Sequence, residues 1–129
     1  MWMTPWGYTI DLPPDYDAHM ELGLEACAAM DAVHGRNYCA RTGPIFTVIS
    51  PATGCCTDFM YGEAEIMQSL ATELRSSANS DPTQIIENGE EMLAGAIVMA
   101  ENLAAAHYAK FPTPPAAAAA LSKLVLAQK

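Results

Sequence analysis

Glu73 and Arg75 close the run "IMQSLATELR", residues 66–75, so a carboxylate stands two residues from a guanidinium at the end of an otherwise apolar stretch. A carboxylate held at a strand end can serve as a general base if it lies within hydrogen-bond reach of the proton it removes. A lone strand-end Glu beside an Arg is more often a solvated ion pair. Ser50, in "SPATG", lacks the G-x-S-x-G surroundings of a nucleophilic serine, and no histidine is placed as its base. Cys55 and Cys56 are adjacent, with no histidine near them in sequence to activate either thiol. Cys27 falls at an apolar helical position and reads as a small buried hydrophobe. None of the four cysteines, at 27, 39, 55 and 56, has C-x-x-C spacing. Their even number permits disulfides in an oxidising compartment without fixing a pairing. A helical zinc site would want H-E-x-x-H or a comparable clustering of ligands. His19, His34 and His107 each lie on or at the end of a helical pattern without a partner at ligand spacing. They read as exposed or half-buried helix histidines, and the chain taken alone offers no metal ligand.

Composition narrows the function classes. At 129 residues the chain is one domain or part of one, and 51% hydrophobic residues suffice for a sizeable core. No apolar run approaches the ~20 residues of a transmembrane helix. The opening "MWMTPWGYTIDLPPDYD" has neither a basic n-region nor a cleavable apolar segment, so it is not a secretory signal. Fifteen acids against six bases give a formal charge of −9. The bases are scattered, which argues against a nucleic-acid partner and against an anionic membrane surface.

The elements that must position these residues follow an α/β pattern. Residues 5–12 read as a short strand or extended segment ending at Pro13-Pro14. Asp15 to His34 forms a helix whose Met20, Leu24, Cys27, Ala28 and Val33 recur near a 3.6 period, with Gly35 as its C-terminal cap. Residues 44–50, "PIFTVIS", and Glu65 to Arg75 read as buried strands, and "TDFMYG" as a single helical turn. Asp81, Pro82 and Gln84 open the last long helix, with a break near Asn88-Gly89 and an apolar stripe of Met92, Ala96, Met99, Leu103 and Ala106. Residues 1–110 form the globular part, and residues 111–129 a Pro/Ala-rich tail whose alanine-rich end forms a loosely held helix. There are too few strands for a sheet covered on both faces.

From Pro5 to Asn102 the chain resembles the C-terminal part of a zinc-dependent metallocarboxypeptidase of the carboxypeptidase A/B family. The resemblance rests on five pieces in the family's order: "TPWGYT", "HMELGLEACAAMDAVHGRNYCARTGPIFTVISPATG", "TDF", "SLATELR" and "DPTQIIENGEEMLAGAIVM". The fold it implies is α/β, the C-terminal part of a mixed β-sheet flanked by helices, and incomplete. The activity it implies is release of C-terminal amino acids from peptides, with peptide or protein C-termini as substrate and an extracellular, secreted location.

Within that resemblance Glu73 matches the family's catalytic base, which takes a proton from the attacking water and passes it to the leaving amine. Ile49, Ser50 and Thr57 match substrate-binding positions. Ser50 stands where the family usually has a tyrosine that closes over the substrate's terminal carboxylate, a distance a serine side chain does not cover. Thr57 stands at the position that sets side-chain preference and is neither apolar nor acidic, so it excludes only a strong basic preference. The loop "SSANSD" is shorter and more polar than the family's. The implied cofactor is zinc. Its ligands, a His-x-x-Glu pair and a later histidine, are expected upstream of these residues and none within them. The rival reading is a catalytically inactive, peptidase-like binding protein, and intact upstream ligands would decide against it.

Overall fold

Asp15 and Gly35 bound the first helix, α1 (Tyr16–His34), as the sequence predicts. Gly35 takes the left-handed conformation, φ 66°, and its N–H returns to the Asp31 carbonyl at 2.8 Å. The computed structural model describes residues 1–74 and 81–110, the side chains of residues 107, 108 and 110 excepted. The readings placed on Arg75, on loop residues 76–80, on the tail 111–129 and on the His107 side chain fall outside the described residues.

Three short strands form one mixed sheet in the order β2–β1–β3: β1 (Trp2–Thr4), β2 (Gly43–Pro44) and β3 (Ala71–Thr72). β1 runs parallel to β2, with Met3 opposite Gly43, and antiparallel to β3, with Trp2 opposite Thr72 and Met3 opposite Ala71. Two further short helices, α2 (Ile45–Val48) and α3 (Cys56–Gly62), lie between β2 and β3. The long α4 (Ile85–Lys110) packs against α1. The α/β class holds, as a small mixed sheet with helices. Among the described residues no helix is long and apolar enough to cross a membrane.

Side chains alternate across a strand, and β1 divides the core accordingly. Trp2 points to the helix side, into a cluster with Ala26, Cys27, Met30 and Tyr38 against which Met92 and Met99 pack. Met1 and Met3 point the other way and join Ile45, with Val48, Ala52, Cys55 and Ala71 around them.

Several predicted elements are corrected. The extended segment predicted over residues 5–12 is instead a run of bends, and the strand lies just before it at Trp2–Thr4. Residues 44–50 are not a strand. Pro44 ends β2 after two residues, having no N–H for the ladder. The chain then turns helical, closed by Ile49 N–H to the Ile45 carbonyl at 3.1 Å, while the Phe46 N–H is drawn to the Trp6 carbonyl at 3.1 Å. The strand predicted from Glu65 to Arg75 shrinks to Ala71–Thr72, and Ile66 and Met67 are exposed. Its first half is spent on loop bonds. Ile66 donates to Met60, Met67 accepts from His19, Ser69 folds back on Ile66, and Glu65 sits at φ 54°.

The buried face of α1 is His19, Leu22, Gly23, Ala26, Cys27 and Met30. Of the predicted stripe only Cys27 is fully buried, while Leu24 and Val33 are exposed. The face is selected by small residues, which a hydrophobic pattern underweights. A Cβ on Gly23 would already touch Thr42 at 3.3 Å and Leu70 at 3.5 Å. Asp81 does cap the last helical segment, accepting from Thr83 N–H at 2.9 Å ahead of the 3₁₀ turn Pro82–Gln84. α4 continues through Asn88-Gly89 without the predicted break, and Leu103, in its predicted stripe, is exposed.

Candidate active site

Glu73 follows β3 directly, and the pairing extends to it. Its N–H donates to the Met1 carbonyl at 2.9 Å, and the Met1 backbone nitrogen donates to the Glu73 carbonyl at 2.6 Å. Such a reciprocal pair continues the antiparallel register by one position. Alternation then puts the Glu73 side chain on the face of Ala71, Met1 and Met3, away from α1 and α4. The residue is exposed, so its carboxylate stands in solvent beside an apolar floor of Met1, Met3, Ile45 and Ala71.

The loop after α2 borders the same floor. Val48, Ala52 and Cys55 pack against it, bracketing Ile49 and Ser50, both of which are exposed. Thr57 lies in the first turn of α3 and is buried. The structure therefore brings the segment carrying Ile49 and Ser50 to the floor beside Glu73, and Thr57 two residues beyond Cys55.

The Trp6–Gly7 strap suspends this loop. The Ala52 N–H donates to the Gly7 carbonyl at 2.7 Å, and the Gly7 N–H is shared between the two Asp58 carboxylate oxygens at 3.0 Å each. The approach admits only glycine, because a Cβ there would fall 2.7 Å from Cys55 Sγ and 3.0 Å from the Ala52 carbonyl. Asp58 is thus a positioning residue that the sequence reading left without a role. Its one signal was the Asp-aromatic pair in "TDF" beside "PWGYT". Trp6 anchors the strap from behind, packing on Tyr8 and Tyr61 with ring centroids 5.4 and 5.0 Å apart, after a cis Pro5–Trp6 peptide. An open cleft of about 460 Å³ lies on that side, lined by Trp6, Tyr8, Asp58, Phe59 and Glu63 and by none of the four predicted site residues.

The other candidate groups are committed elsewhere. His19 corrects the expectation of an exposed or half-buried histidine. It is 2% exposed, its Nε2 lies 2.6 Å from the Met67 carbonyl, and its ring meets Tyr61 edge-on at 4.9 Å. A carbonyl only accepts, so Nε2 carries a proton, while Nδ1 is buried without a partner among the described residues. His34 pairs with Glu90 on the surface at 2.9 Å. The Cys55 thiol is pushed up by burial and then by the Asp58 charge, which makes it a poor nucleophile. Burial, followed by the hydrogen bond to Asp15, likewise raises the Tyr61 phenol. Cys27 is buried as predicted.

Zinc does not fit the described residues. No three of their His, Cys, Asp and Glu side chains converge, and the one buried histidine is turned to a carbonyl.

A family model described as zinc carboxypeptidase matches residues 1–95. Among curated proteins, carboxypeptidase B of Astacus astacus is 36% identical over 104 residues, covering 78% of this chain and 34% of that protein. Metallocarboxypeptidase A of Trichophyton equinum is 38% identical over 104 residues, covering 77% of this chain and 24% of its own length. A metallocarboxypeptidase A-like protein of Trichophyton verrucosum is 34% identical over 108 residues, 80% of this chain and 25% of its own. The chain thus spans about a quarter to a third of the length of these relatives.

Proposed function

The chain belongs to the zinc carboxypeptidase family, and from that premise we propose that it is the C-terminal portion of a metallocarboxypeptidase catalytic domain that releases C-terminal amino acids from peptides. Residues 1–110 supply the general base and part of the substrate cleft, and residues 111–129 are an appended tail. The zinc ligands belong to sequence upstream of these residues, and the enzyme acts outside the cell.

The observation that carries this reading is the placement of Glu73, an exposed carboxylate fixed through both backbone groups to Met1 and standing beside an apolar floor. A group so held can take a proton from a water attacking a peptide carbonyl and return it to the departing amine without reorienting its backbone. Ile49, Ser50 and Thr57 form the wall that meets the substrate's terminal residue. Ser50 is short and exposed, so it offers a hydroxyl contact but no large covering side chain.

The test is Glu73→Gln in the full-length protein, with zinc content and folding matched to the parent. Loss of a general base lowers kcat by roughly 10²–10⁴-fold with little change in KM. A kcat reduction below about tenfold removes Glu73 from the role. A full-length parent that binds peptides without cleaving them assigns the chain to the inactive binding class.

A further inference from the structure

Cys27 and Cys39 share one packed cluster although twelve positions apart in sequence, and no role above uses them. Cys27 is fully buried in the helix-side cluster, and Cys39, half-buried, packs against that same cluster. Side chains on a helix lean toward its N-terminus, so Cys27 Sγ lies over the turn that contains Leu24. The Cys39 thiol is aimed at that turn, 3.7 Å from the Leu24 carbonyl. Cys27 Sγ in turn lies 3.0 Å from the Thr42 hydroxyl, and Thr42 N–H closes the 3₁₀ turn onto the Cys39 carbonyl at 3.2 Å. Asp31 clamps the segment to α1, accepting the Tyr38 and Cys39 N–H groups at 2.6 and 3.3 Å. The other thiols are elsewhere. Cys55 packs in the cluster on the opposite face of β1, and Cys56 is exposed at the start of α3.

We infer that Cys27 and Cys39 are a disulfide-forming pair, a modification site in which a small-molecule disulfide oxidises the two thiols and bonds α1 to the 3₁₀ turn Cys39–Arg41. The half-buried Cys39 attacks first, slowly, through the small thiolate fraction that its raised pKa leaves at mildly alkaline pH. Its thiolate displaces one thiol from the oxidant and leaves a mixed disulfide. Cys27 then gives up its proton and attacks the Cys39 sulfur, expelling the second small thiol. One S–S bond in the oxidant breaks and one forms in the protein, and the two electrons and two protons leave on the two small thiols. Fully buried Cys27 acts only as the resolving partner.

The pairing is read by peptide mapping. The 129-residue chain, without denaturant, is equilibrated with oxidised glutathione at mildly alkaline pH, quenched with a maleimide and digested with trypsin. Cleavage after Arg36 and Arg41 separates Cys27, in residues 1–36, from Cys39, in residues 37–41, and both from Cys55 and Cys56. The expected product is residues 1–36 joined to 37–41, two hydrogens lighter than the separate peptides and released by reductant. It should persist in a Cys55→Ser, Cys56→Ser variant and vanish in Cys39→Ser. Residues 37–41 recovered as a maleimide adduct, as a stable glutathione adduct or joined to residues 42–75 overturn the proposal.

Discussion

Two glycines in α4 test how tightly the helices meet, because the same substitution should have opposite signs six residues apart. Gly89 is exposed, and a Cβ there would touch nothing within 4 Å. Gly89→Ala therefore gains only helix propensity, about 1 kcal/mol. Gly95 is buried, and its Cβ would fall 2.9 Å from Met30 Cγ, 3.0 Å from Met30 Sδ and 3.2 Å from Trp2 Nε1. Met30 cannot yield freely, since it is fully buried and its sulfur accepts the Trp2 indole N–H at 3.0 Å. Against the same propensity gain stand about 1–3 kcal/mol of overpacking and about 1 kcal/mol for the strained hydrogen bond. Gly95→Ala should thus be destabilised by about 1–3 kcal/mol, which leaves the two variants about 2–4 kcal/mol apart. At about 3–5 °C per kcal/mol for a chain of this size, Gly89→Ala should melt a few degrees above the parent and Gly95→Ala well below it. Urea unfolding with unchanged m-values shows that both variants expose the same surface on unfolding as the parent. If Gly95→Ala raises Tm as much as Gly89→Ala does, the close crossing of α1 and α4 is refuted.

Two other outcomes can be measured on the same chain. Asp58→Ala removes the acceptor of the Gly7 N–H, a charged and partly buried hydrogen bond, and should cost about 1.5–3 kcal/mol. Asp58→Asn should recover part of that stability, whereas an Ala variant that melts with the parent would show that the strap is held by other means. The Cys39 thiol is pushed up to about 12, by burial first and then by its hydrogen bond to Asp31 and the neighbouring Cys27 thiol. Under reducing conditions its alkylation rate should climb about tenfold per pH unit with no plateau until near that value. Between its ordinary value of 9.0 and about 12 the folded state keeps a proton that the unfolded state has lost. Stability must therefore fall as pH rises through that window, and an alkylation plateau below about pH 10 would contradict both statements.

Local signals in the sequence recovered the helix ends. Asp15, Gly35, Asp81 and Pro82 act through their own backbone geometry, so neighbours several residues away suffice to read them. The strands were legible only in part, because tertiary bonds overrode residue preference. Ile45, Thr47 and Val48 favour extended backbone, yet Pro44 and the pull of Trp6 on the Phe46 N–H curl them into α2. His19 looked like a surface histidine because its partners, Met67 and Tyr61, lie 48 and 42 positions away. The proposed site residues Glu73, Ile49, Ser50 and Thr57 come from the motifs that carry the family resemblance. The strap that suspends the loop was not legible, since it depends on Gly7 and Asp58 meeting across 51 positions.

The reciprocal pair between Met1 and Glu73 makes the aim of that carboxylate a discrete choice rather than an adjustable angle. Strand faces alternate with each residue, so a slip of β3 by one position against β1 would turn Glu73 toward α1 and α4 and offer Leu74 to the open face. No intermediate setting exists between those two. Substitutions that loosen the edge at Trp2–Thr72 should therefore divide the molecules into two populations, one with the carboxylate presented and one with it hidden. If Glu73 is the base proposed above, active-site titration of the full-length protein would register fewer competent molecules, each turning over at the parental rate.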